Sequence, residues 1–338
     1  MTTGNGERIL LAHGGGGMLM RELIAFIVGR LGAGWGLPLQ DAATIEVDRG
    51  RLAFTTDSFV VSPLFFPGGD IGRLAVCGTV NDLAVCGAVP LWISLAFIVE
   101  EGFPFETFGR ILDSIGAAAR EASVTVVTGD TKVVERGKAD GIFINTSGVG
   151  SVPSGVSVSS AGARPGDAVL VNGGIGEHGL AIVSTREGID FGSTLRSDAA
   201  PLSNLIVPLL REVRGIHAMR DATRGGLAAI LNEIASDSGA CIRIEEAAVP
   251  VSEAVRTGCE LMGYDPLHIA NEGKFVAVVA ADDAERALAF MKAHPLGAGA
   301  ARIGTVAAGP PGCVILETSL GGERVVDVPY GDLLPRIC

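Results

Sequence analysis

Residues 71–99 carry the pattern that decides the fold, and they read IGRLAVCGTVNDLAVCGAVPLWISLAFIV. The first part, about Ile71–Cys86, is rich in small residues and predicts a helix that packs closely on its neighbours. The second part, Leu91–Val99, is a short apolar run and predicts a buried strand. Asp82 lies within the predicted helix, where a charge among small residues is hard to explain as packing. The stretch therefore indicates an α/β unit with an acidic residue inside it.

The elements predicted on both sides of this stretch repeat the mixture of strands and helices. The first half adds a helix at Phe105–Ala122 and strands at Thr44–Val47, Leu52–Thr56, Val124–Thr128 and Gly141–Val149. Ser151–Gly166 is rich in Ser, Gly and Pro and has no period, so it marks a domain boundary. The second half adds strands at Ala168–Asn172, Ile216–Arg220, Cys241–Glu245, Phe275–Ala280 and Ala301–Val306, and helices at Leu180–Glu187, Pro201–Val213, Gly225–Ser236, Ser252–Met262 and Ala284–Ala293. We expect two mixed α/β domains, followed by a hairpin over Gly312–Val328 that leads into a C-terminal tail.

Composition excludes several classes of protein. The 338-residue chain has a formal net charge of −12, which argues against a nucleic-acid surface of clustered Lys and Arg. The mean hydropathy is +0.42, but no apolar run approaches the ~18 residues of a membrane span. Residues 1–8 are polar and lack the pattern of a signal peptide. Six cysteines without a C-x-x-C pair indicate reduced thiols in a cytoplasm and no structural zinc.

The last residue of the chain is a cysteine, Cys338, which follows the short run Pro335-Arg336-Ile337. A terminal residue is tethered on one side only, so its side chain can move between environments. The small thiolate fraction at neutral pH is nucleophilic enough to accept an acyl-type group. From position alone, a carrier arm and a free cysteine on a frayed tail explain the residue equally well. A prenylation box is excluded, because it needs the cysteine fourth from the end.

Acidic residues recur at the ends of predicted strands and in the helix that faces them. No G-x-x-x-x-G-K-[ST] motif occurs, so a P-loop nucleotide site is excluded. Asp57, Asp130 and Asp221 lie at or next to strand ends, and Asp82 lies in the predicted helix. Such carboxylates can hold a magnesium–nucleotide complex, because the phosphates supply other oxygen ligands. Taken alone, Asp130 or Asp221 is better explained as a helix cap or a turn former.

Glycine is the unusual component of this chain, with 48 residues. Many glycines fall where a predicted strand meets a predicted helix, a junction that leaves N–H groups free for phosphate. The run Gly14–Gly17, before a predicted helix at Met18–Leu31, could close over phosphates or be only a flexible segment.

Lys132 and Glu272 are candidates for handling a substrate. Lys132 lies two residues beyond Asp130, and Glu272 lies in the run NEGK before a predicted strand. A Lys–Glu pair in a cleft can orient a substrate and move protons, whereas either residue alone on the surface would only be solvated. The two residues belong to different halves of the chain, so we expect them to meet across an interdomain cleft. His178 lies in a glycine-rich turn and is interpreted as structural.

Seven short motifs together resemble those of the hydrogenase maturation protein HypE family. They are Phe54–Ser58 (FTTDS), Pro67–Gly72 (PGGDIG), Gly78–Leu83 (GTVNDL), Thr128–Lys132 (TGDTK), Gly176–Gly179 (GEHG), Asn271–Lys274 (NEGK) and Arg336–Cys338 (RIC). Individually the aspartate motifs indicate only the wider superfamily of aminoimidazole ribonucleotide synthetase, selenophosphate synthetase and thiamine monophosphate kinase. The terminal cysteine separates the HypE family from these. One departure is Ala222, where we expect a proline that would stiffen the turn after Asp221.

The resemblance implies an α/β (α+β) fold of two PurM-like mixed domains with a flexible C-terminal tail. It divides the chain into an N-terminal glycine-rich segment and helix (1–40), an ATP-binding and dimerisation domain (41–152), a C-terminal domain (153–311) and a hairpin with a mobile tail (312–338). The residues implied to bind the nucleotide are Asp57, Asp70, Asn81, Asp82, Gly129, Asp130, Thr131 and Asp221. The residues implied to hold Mg²⁺ are Asp57, Asp82 and Asp221. The implied catalytic residues are Cys338, Lys132 and Glu272.

The resemblance further implies an ATP-dependent carbamoyl dehydratase that acts on its own Cys338. The carbamoyltransferase HypF would place a carbamoyl group on the thiol, and ATP would drive its dehydration to a thiocyanate, the cyanide donor for the iron of [NiFe]-hydrogenase. The chain would be a cytoplasmic homodimer with a HypC-HypD complex as cyanide acceptor, and without nucleic-acid or membrane partners. Two alternatives remain, a nucleotide-gated thiol carrier without catalysis and another ATP-dependent kinase or synthetase of the superfamily.

Overall fold

The computed structural model describes residues 17–19, 21–22, 43–47, 50–189, 191, 195–328 and 336–338. Within these residues the chain forms two mixed α/β halves, each built on one large sheet, which confirms the fold class expected from the sequence. Gly14–Gly16 and residues 23–31 of the predicted first helix lie outside the described residues.

The first half contains a five-stranded sheet. Its strands are β1 (Ala43–Val47), β2 (Gly50–Phe59), β5 (Val89–Glu100), β6 (Thr125–Val134) and β7 (Ile142–Val152), and a small separate hairpin consists of β3 (Phe65–Phe66) and β4 (Gly69–Asp70). The strand order is β1-β2-β7-β5-β6, with β5 and β6 parallel and the other neighbours antiparallel. Two helices, α1 (Ile71–Val85) and α2 (Phe105–Glu121), share a hydrophobic core with the sheet.

The second half contains a seven-stranded sheet. Its strands are β8 (Ala168–Val171), β9 (Ile216–Asp221), β10 (Cys241–Glu245), β11 (Phe275–Val279), β12 (Ala301–Ala307), β13 (Cys313–Glu317) and β14 (Glu323–Val325). Its helices are α3 (Glu177–Glu187), α4 (Ser203–Glu212), α5 (Gly226–Ser238), α6 (Glu253–Met262) and α7 (Ala281–Lys292). The predicted C-terminal hairpin is β13 and β14, and it joins this sheet because β13 pairs in parallel with β10. None of the helices in the described part of the chain is long and apolar enough to span a membrane.

Helix α1 is buried along almost its whole length and positions the first acidic residues. Asp70 caps its N-terminus, because the Asp70 Oδ1 atom accepts hydrogen bonds from two backbone N–H groups of the first turn, at 2.7 and 3.1 Å. Gly78 lies against the ring of Phe59, and a Cβ added there would come within 2.9 Å of the ring. The small residues of α1 therefore let it approach β2 closely, and this approach brings Asp82 next to that strand.

Strand β6 is the exposed edge of the first sheet. It pairs with β5 on one side, and nearly all of its side chains are exposed. The sequence pattern predicts that this strand ends at Thr128, before Asp130, whereas Asp130 lies in the middle of the strand. The prediction was too short because a strand exposed on both faces lacks the apolar alternation by which strands are recognised.

Residues 195–202, which we call the interdomain strap, tie the two halves together. From the first half, Arg73 Nε donates to a strap carbonyl at 2.7 Å and the Asn81 side-chain amide donates to another at 3.0 Å. From the second half, Lys274 Nζ lies 3.0 Å from the strap residue Asp198. The strap thus joins the two halves where they meet, and Asp57, Asp221 and Glu272 lie close to one another there.

Candidate functional site

The end of the chain docks between the two halves. Ile337 is only 3% exposed and packs into a hydrophobic core to which both halves contribute. The backbone N–H groups of Val60 and Ser62 donate to the carbonyl oxygens of Cys338 (3.0 Å) and Arg336 (3.3 Å), so the last residues run alongside the chain that follows β2. Docking carries the Cys338 thiol into the protein rather than into solvent.

An acidic and a basic side chain lie close to the docked thiol. The Cys338 thiol and the Glu272 carboxyl share a hydrogen bond, and the Arg224 guanidinium is close enough to act on both groups. Burial raises the pKa of the Cys338 thiol well above its ordinary value, and the positive charge of Arg224 opposes this rise. The docked residue is therefore a thiol rather than a thiolate, which makes it a poor nucleophile in this position.

Glu272 is a buried carboxyl with a high affinity for a proton. Glu272 is only 3% exposed, and burial raises the pKa of its carboxyl well above the ordinary value. The negative charges of Asp57 and Asp221 raise this pKa further. Arg224 acts in the opposite direction. A carboxyl of this kind holds its proton to a higher pH than an ordinary glutamate and is a stronger base once it is ionised.

The backbone around Glu272 is held by the interdomain strap. The Glu272 N–H group donates to Asp198 Oδ1 at 2.9 Å. A Cβ added to Gly273 would lie 1.9 Å from the Asp198 carbonyl oxygen, so only glycine allows the strap to pass this closely. The position of Glu272, in the bend before β11, is therefore set in part by the strap.

The turn after Asp221 is held by backbone hydrogen bonds. The Ala222 N–H group donates to the Lys274 carbonyl oxygen at 2.8 Å, and the Ala222 carbonyl oxygen accepts from the Asn271 side-chain amide at 2.7 Å. Proline has no N–H group and would lose the first of these bonds. The alanine that departs from the expected motif is therefore compatible with an ordered turn, and Asp221 is buried at the end of β9.

Asp57 and Asp82 lie where β2 meets α1. The Thr55 hydroxyl donates to Asp82 Oδ2 at 2.8 Å, and the Ser58 N–H group donates to Asp57 Oδ1 at 2.7 Å. Burial raises the pKa of Asp57, and the charge of Arg224 opposes the rise.

The three carboxylates predicted to hold a metal do not form a ready metal site. Among the described residues, no group of three His, Cys, Asp or Glu side chains is arranged so that it could bind a metal ion. Asp57 and Asp82 come from the first half, whereas Asp221 comes from the second sheet.

Asp70 and Asn81, predicted to bind the nucleotide, both make hydrogen bonds within the fold. Asp70 caps α1, as described above. The Asn81 amide is 1% exposed, donates to the carbonyl oxygens of Ala200 (3.0 Å) and Glu272 (3.2 Å), and accepts from the Leu202 N–H group at 2.7 Å. Both amide protons are therefore engaged in joining α1 to the second half.

The remaining predicted residues lie together on the edge strand β6, and they are Gly129, Asp130, Thr131 and Lys132. Lys132 Nζ lies 3.8 Å from Asp130 Oδ2, and its side chain is 73% exposed. The strand registers align Asp57 with Gly129 across β2, β7, β5 and β6, so the two are three strand spacings apart, about 14 Å. The expectation that Lys132 meets Glu272 is therefore wrong within one protomer, because β6 lies at the far edge of the sheet.

Sequence reasoning missed two side chains of the site. Arg224 belongs to the run DATRGG, and its place next to Asp221 and before a glycine pair was the one available signal. Asp198 lies in a loop segment without periodicity, and nothing in the sequence relates it to Glu272. The other cysteines agree with the expectation of inert thiols: burial raises the pKa of Cys77 to about 12 and that of Cys259 to about 11.

Comparisons with known proteins cover nearly the whole chain. Models of the AIR synthase related protein family match it, the N-terminal domain at residues 39–152 and the C-terminal domain at residues 164–316. The carbamoyl dehydratase HypE of Rhizobium leguminosarum bv. viciae is 53% identical over 334 residues, which are 98% of this chain and 95% of that protein. A chain in a solved HypE-HypF complex is 49% identical with a TM-score of 0.86, and the match covers 93% of this chain and 100% of that one. A solved HypE in complex with ATP is 47% identical with a TM-score of 0.84, over 98% of this chain and 100% of that one.

Proposed function

The chain belongs to the HypE family of hydrogenase maturation proteins, which are ATP-dependent carbamoyl dehydratases, and from this premise we propose the reaction that it catalyses. The substrate is an S-carbamoyl group on its own Cys338, and the product is a thiocyanate on the same sulfur, the cyanide donor for the iron of [NiFe]-hydrogenase. The observation that carries this proposal is the docked position of Cys338, whose thiol lies beside Glu272 and close to Arg224.

The reaction needs a leaving group that an amide does not have. The carbamoyl group, S–C(=O)–NH₂, must lose its oxygen and both N–H protons to become S–C≡N. Attack of the carbamoyl oxygen on the γ-phosphoryl group of ATP releases ADP and, with loss of the first proton, leaves an O-phosphorylated imidate. Loss of the second proton then breaks the C–O bond, expels phosphate and forms the nitrile.

Glu272 is the proton acceptor in this scheme. Its carboxyl already hydrogen-bonds the sulfur that would carry the carbamoyl group, and the carbamoyl nitrogen would lie two bonds from that sulfur. Its raised pKa makes it a stronger base than an ordinary carboxylate. Arg224 offsets the negative charge of Glu272, Asp57 and the reacting oxygen, as a preorganised cation does in a buried site.

The docked tail occupies a groove between the two halves. ATP would bind on the side of this groove where β2 meets α1. A solved relative is described in complex with ATP. The oxygen donors of Asp57 and Asp82 suit Mg²⁺, which binds nucleotides through one or two carboxylates while the phosphates complete its ligands. Bound there, the ion would neutralise charge on the phosphates. The negative charge of Asp221 would help to keep the pKa of Glu272 raised.

Carbamoylation would occur with the tail outside the groove. In the docked position Cys338 is only partly exposed and the pKa of its thiol is raised, so a transferase would have little access and little thiolate to react with. A solved relative is described as a HypE-HypF complex, and HypF is accordingly the carbamoyl donor in this proposal. The cyanide acceptor in this proposal is a HypC-HypD complex, as the family resemblance implies. The free cysteines suit a reducing cytoplasm.

A second copy of the chain would bring Lys132 to the site. The outer face and edge of the first sheet expose large apolar side chains, namely Phe54, Trp92, Ile98, Val127 and Val133. A patch of this kind beside an edge strand marks an interaction surface. In a homodimer formed through it, β6 of one protomer would present Asp130 and Lys132 to the groove of the other.

Oxygen-18 in the carbamoyl group tests the proposed chemistry. The labelled carbamoyl group is loaded onto Cys338 by HypF, and ATP is then added. We expect the label in inorganic phosphate, because the carbamoyl oxygen becomes the bridging oxygen of the phosphorylated imidate. Label in water would exclude phosphorylation of the carbamoyl oxygen, and label that stays on the tail would indicate a carrier without catalysis.

A further inference from the structure

His178 is an enclosed side chain that the proposed chemistry does not use. It is the second residue of α3, it is fully buried, and its ring packs edge-on against Phe66 with centroids 5.6 Å apart. Its Nε2 atom lies 2.8 Å from the Ile337 carbonyl oxygen, and its Nδ1 atom lies 2.8 Å from the Ser197 hydroxyl.

The chemistry of the two partners defines the state of the ring. A carbonyl oxygen can only accept, so Nε2 must carry the proton and donate it to Ile337. In the neutral ring Nδ1 then accepts, and the Ser197 hydroxyl donates to it. Burial lowers the pKa of His178, while the nearby Asp198 charge acts in the opposite direction. One neutral tautomer therefore satisfies both contacts.

The same contacts connect the tail to Glu272. Ser197 and Asp198 are neighbours in the interdomain strap, and Asp198 Oδ1 accepts the hydrogen bond of the Glu272 N–H group at 2.9 Å. His178 thus touches the docked tail with one ring nitrogen and the segment that positions Glu272 with the other. Its contact with the tail is to the main chain of Ile337, so it does not depend on what the Cys338 sulfur carries.

We propose that His178 is a positioning residue that sets the register of the docked tail, so that the sulfur of residue 338 lies beside Glu272. This inference rests on the proposed function for its purpose, but the docking itself needs neither ATP nor a carbamoyl group. A tail held one residue out of register would place Ile337 or the chain terminus beside Glu272 instead of the sulfur.

Alkylation of Cys338 in the full-length protein measures the docking. Reaction with iodoacetamide, followed by peptide mass mapping, gives the rate for Cys338 separately from the other cysteines. His178→Leu should raise this rate roughly five- to tenfold, the effect of losing one net hydrogen bond. His178→Gln keeps an N–H donor in a similar place and should stay close to the wild-type rate. Ser197→Ala removes the partner of Nδ1 with little change in volume and should raise the alkylation rate by a smaller factor. This variant replaces His178→Leu in the test if His178→Leu does not fold.

A purely structural role for His178 predicts a different result. We compare His178→Leu in the wild-type chain and in an Ile337→Asp chain, whose tail cannot dock because a charge would have to be buried. A tail contact predicts that His178→Leu lowers Tm less in the Ile337→Asp chain and leaves its Cys338 alkylation unchanged. Equal losses of Tm in both chains, with wild-type alkylation in the single His178→Leu variant, would overturn the proposal. A dehydratase assay that fails while docking responds as expected would instead count against the proposed function.

Discussion

Glu272 and Arg224 both lie close to the docked thiol, but their surroundings act on them differently. Burial disfavours the charged form of Glu272, whereas the neighbouring Cys338 and Asp57 raise the pKa of the Arg224 guanidinium and so favour its charge. The penalty on Glu272 is visible in its raised pKa, of which burial is the first cause. A fold that keeps such a carboxyl gives up stability for a proton acceptor at the reacting group. Glu272 therefore links the activity of the protein to its stability.

Glu272→Gln should bind ATP and accept the carbamoyl group but stall before dehydration. The glutamine side chain has a similar shape and cannot take up a proton, and positioned proton transfer typically contributes ~100- to 10,000-fold. A single-turnover assay of thiocyanate formation measures the effect. In the wild type the rate should rise with pH as Glu272 loses its proton, with a midpoint above the ordinary glutamate value because its pKa is raised. A Glu272→Gln variant that forms thiocyanate at the wild-type rate would remove Glu272 from the mechanism.

The same variant should stabilise the protein free of nucleotide. A carboxyl whose pKa is raised on folding contributes stability below its unfolded pKa, and that contribution is lost as pH rises through the folded pKa. Glutamine carries no charge, so the Tm advantage of Glu272→Gln should grow from acid to alkaline pH. Glu285→Gln, on an exposed position of α7, is the matched control and should show no such trend. A pH-independent difference would mean that Glu272 is not penalised by burial.

Among the secondary-structure elements, α1 tests whether Asp70 serves the fold or the nucleotide. Asp70→Ala removes the cap of α1 and should cost about 1 kcal/mol of unfolding free energy, whereas Asp70→Asn retains a capping side chain and should cost less. Calorimetric ATP affinity should be unchanged in both variants. Weaker ATP binding by Asp70→Asn, at full stability, would restore the nucleotide-binding role expected from the sequence.

Strand β6 tests the proposed dimer. If Lys132 acts in the partner's site, Lys132→Ala and Glu272→Gln are each inactive alone but complement one another, because a mixed dimer contains one intact site. Random assembly of two-fold dimers, by co-expression with different tags, should then restore about a quarter of the wild-type sites. Purified mixed dimers without dehydration activity would show that Lys132 does not act across the interface.

The elements differ in how far the sequence reveals them. Helix α2 was predicted within one residue, because one face is periodically apolar and packs on the sheet. Strand β6 was predicted too short, because its exposed faces carry no such period. The roles expected of Asp82 and Asn81 on α1 stay predictions. The hydrogen bonds by which the Asn81 amide joins the two halves could not be predicted, because they depend on tertiary packing.

At the scale of the whole molecule, the site exists only because distant segments meet. Cys338, Glu272 and Asp57 come from the tail, the second half and the first half, and each lies in a motif that the sequence analysis singled out. Their meeting depends on the interdomain strap, whose residue Asp198 carries no recognisable pattern. Local patterns could therefore identify the chemical groups, whereas the contacts between them follow from tertiary packing.

The central claim is that this chain dehydrates a carbamoyl group on its own last residue. Intact mass spectrometry after loading by HypF, with and without ATP and magnesium, tests it most directly, with Cys338→Ala as the control that should gain no carbamoyl mass. We predict that ATP removes the mass of one water from the carbamoylated chain, and that the change maps to Cys338. A carbamoylated chain whose mass does not change with ATP, or a loss of water that maps to another residue, would contradict the account.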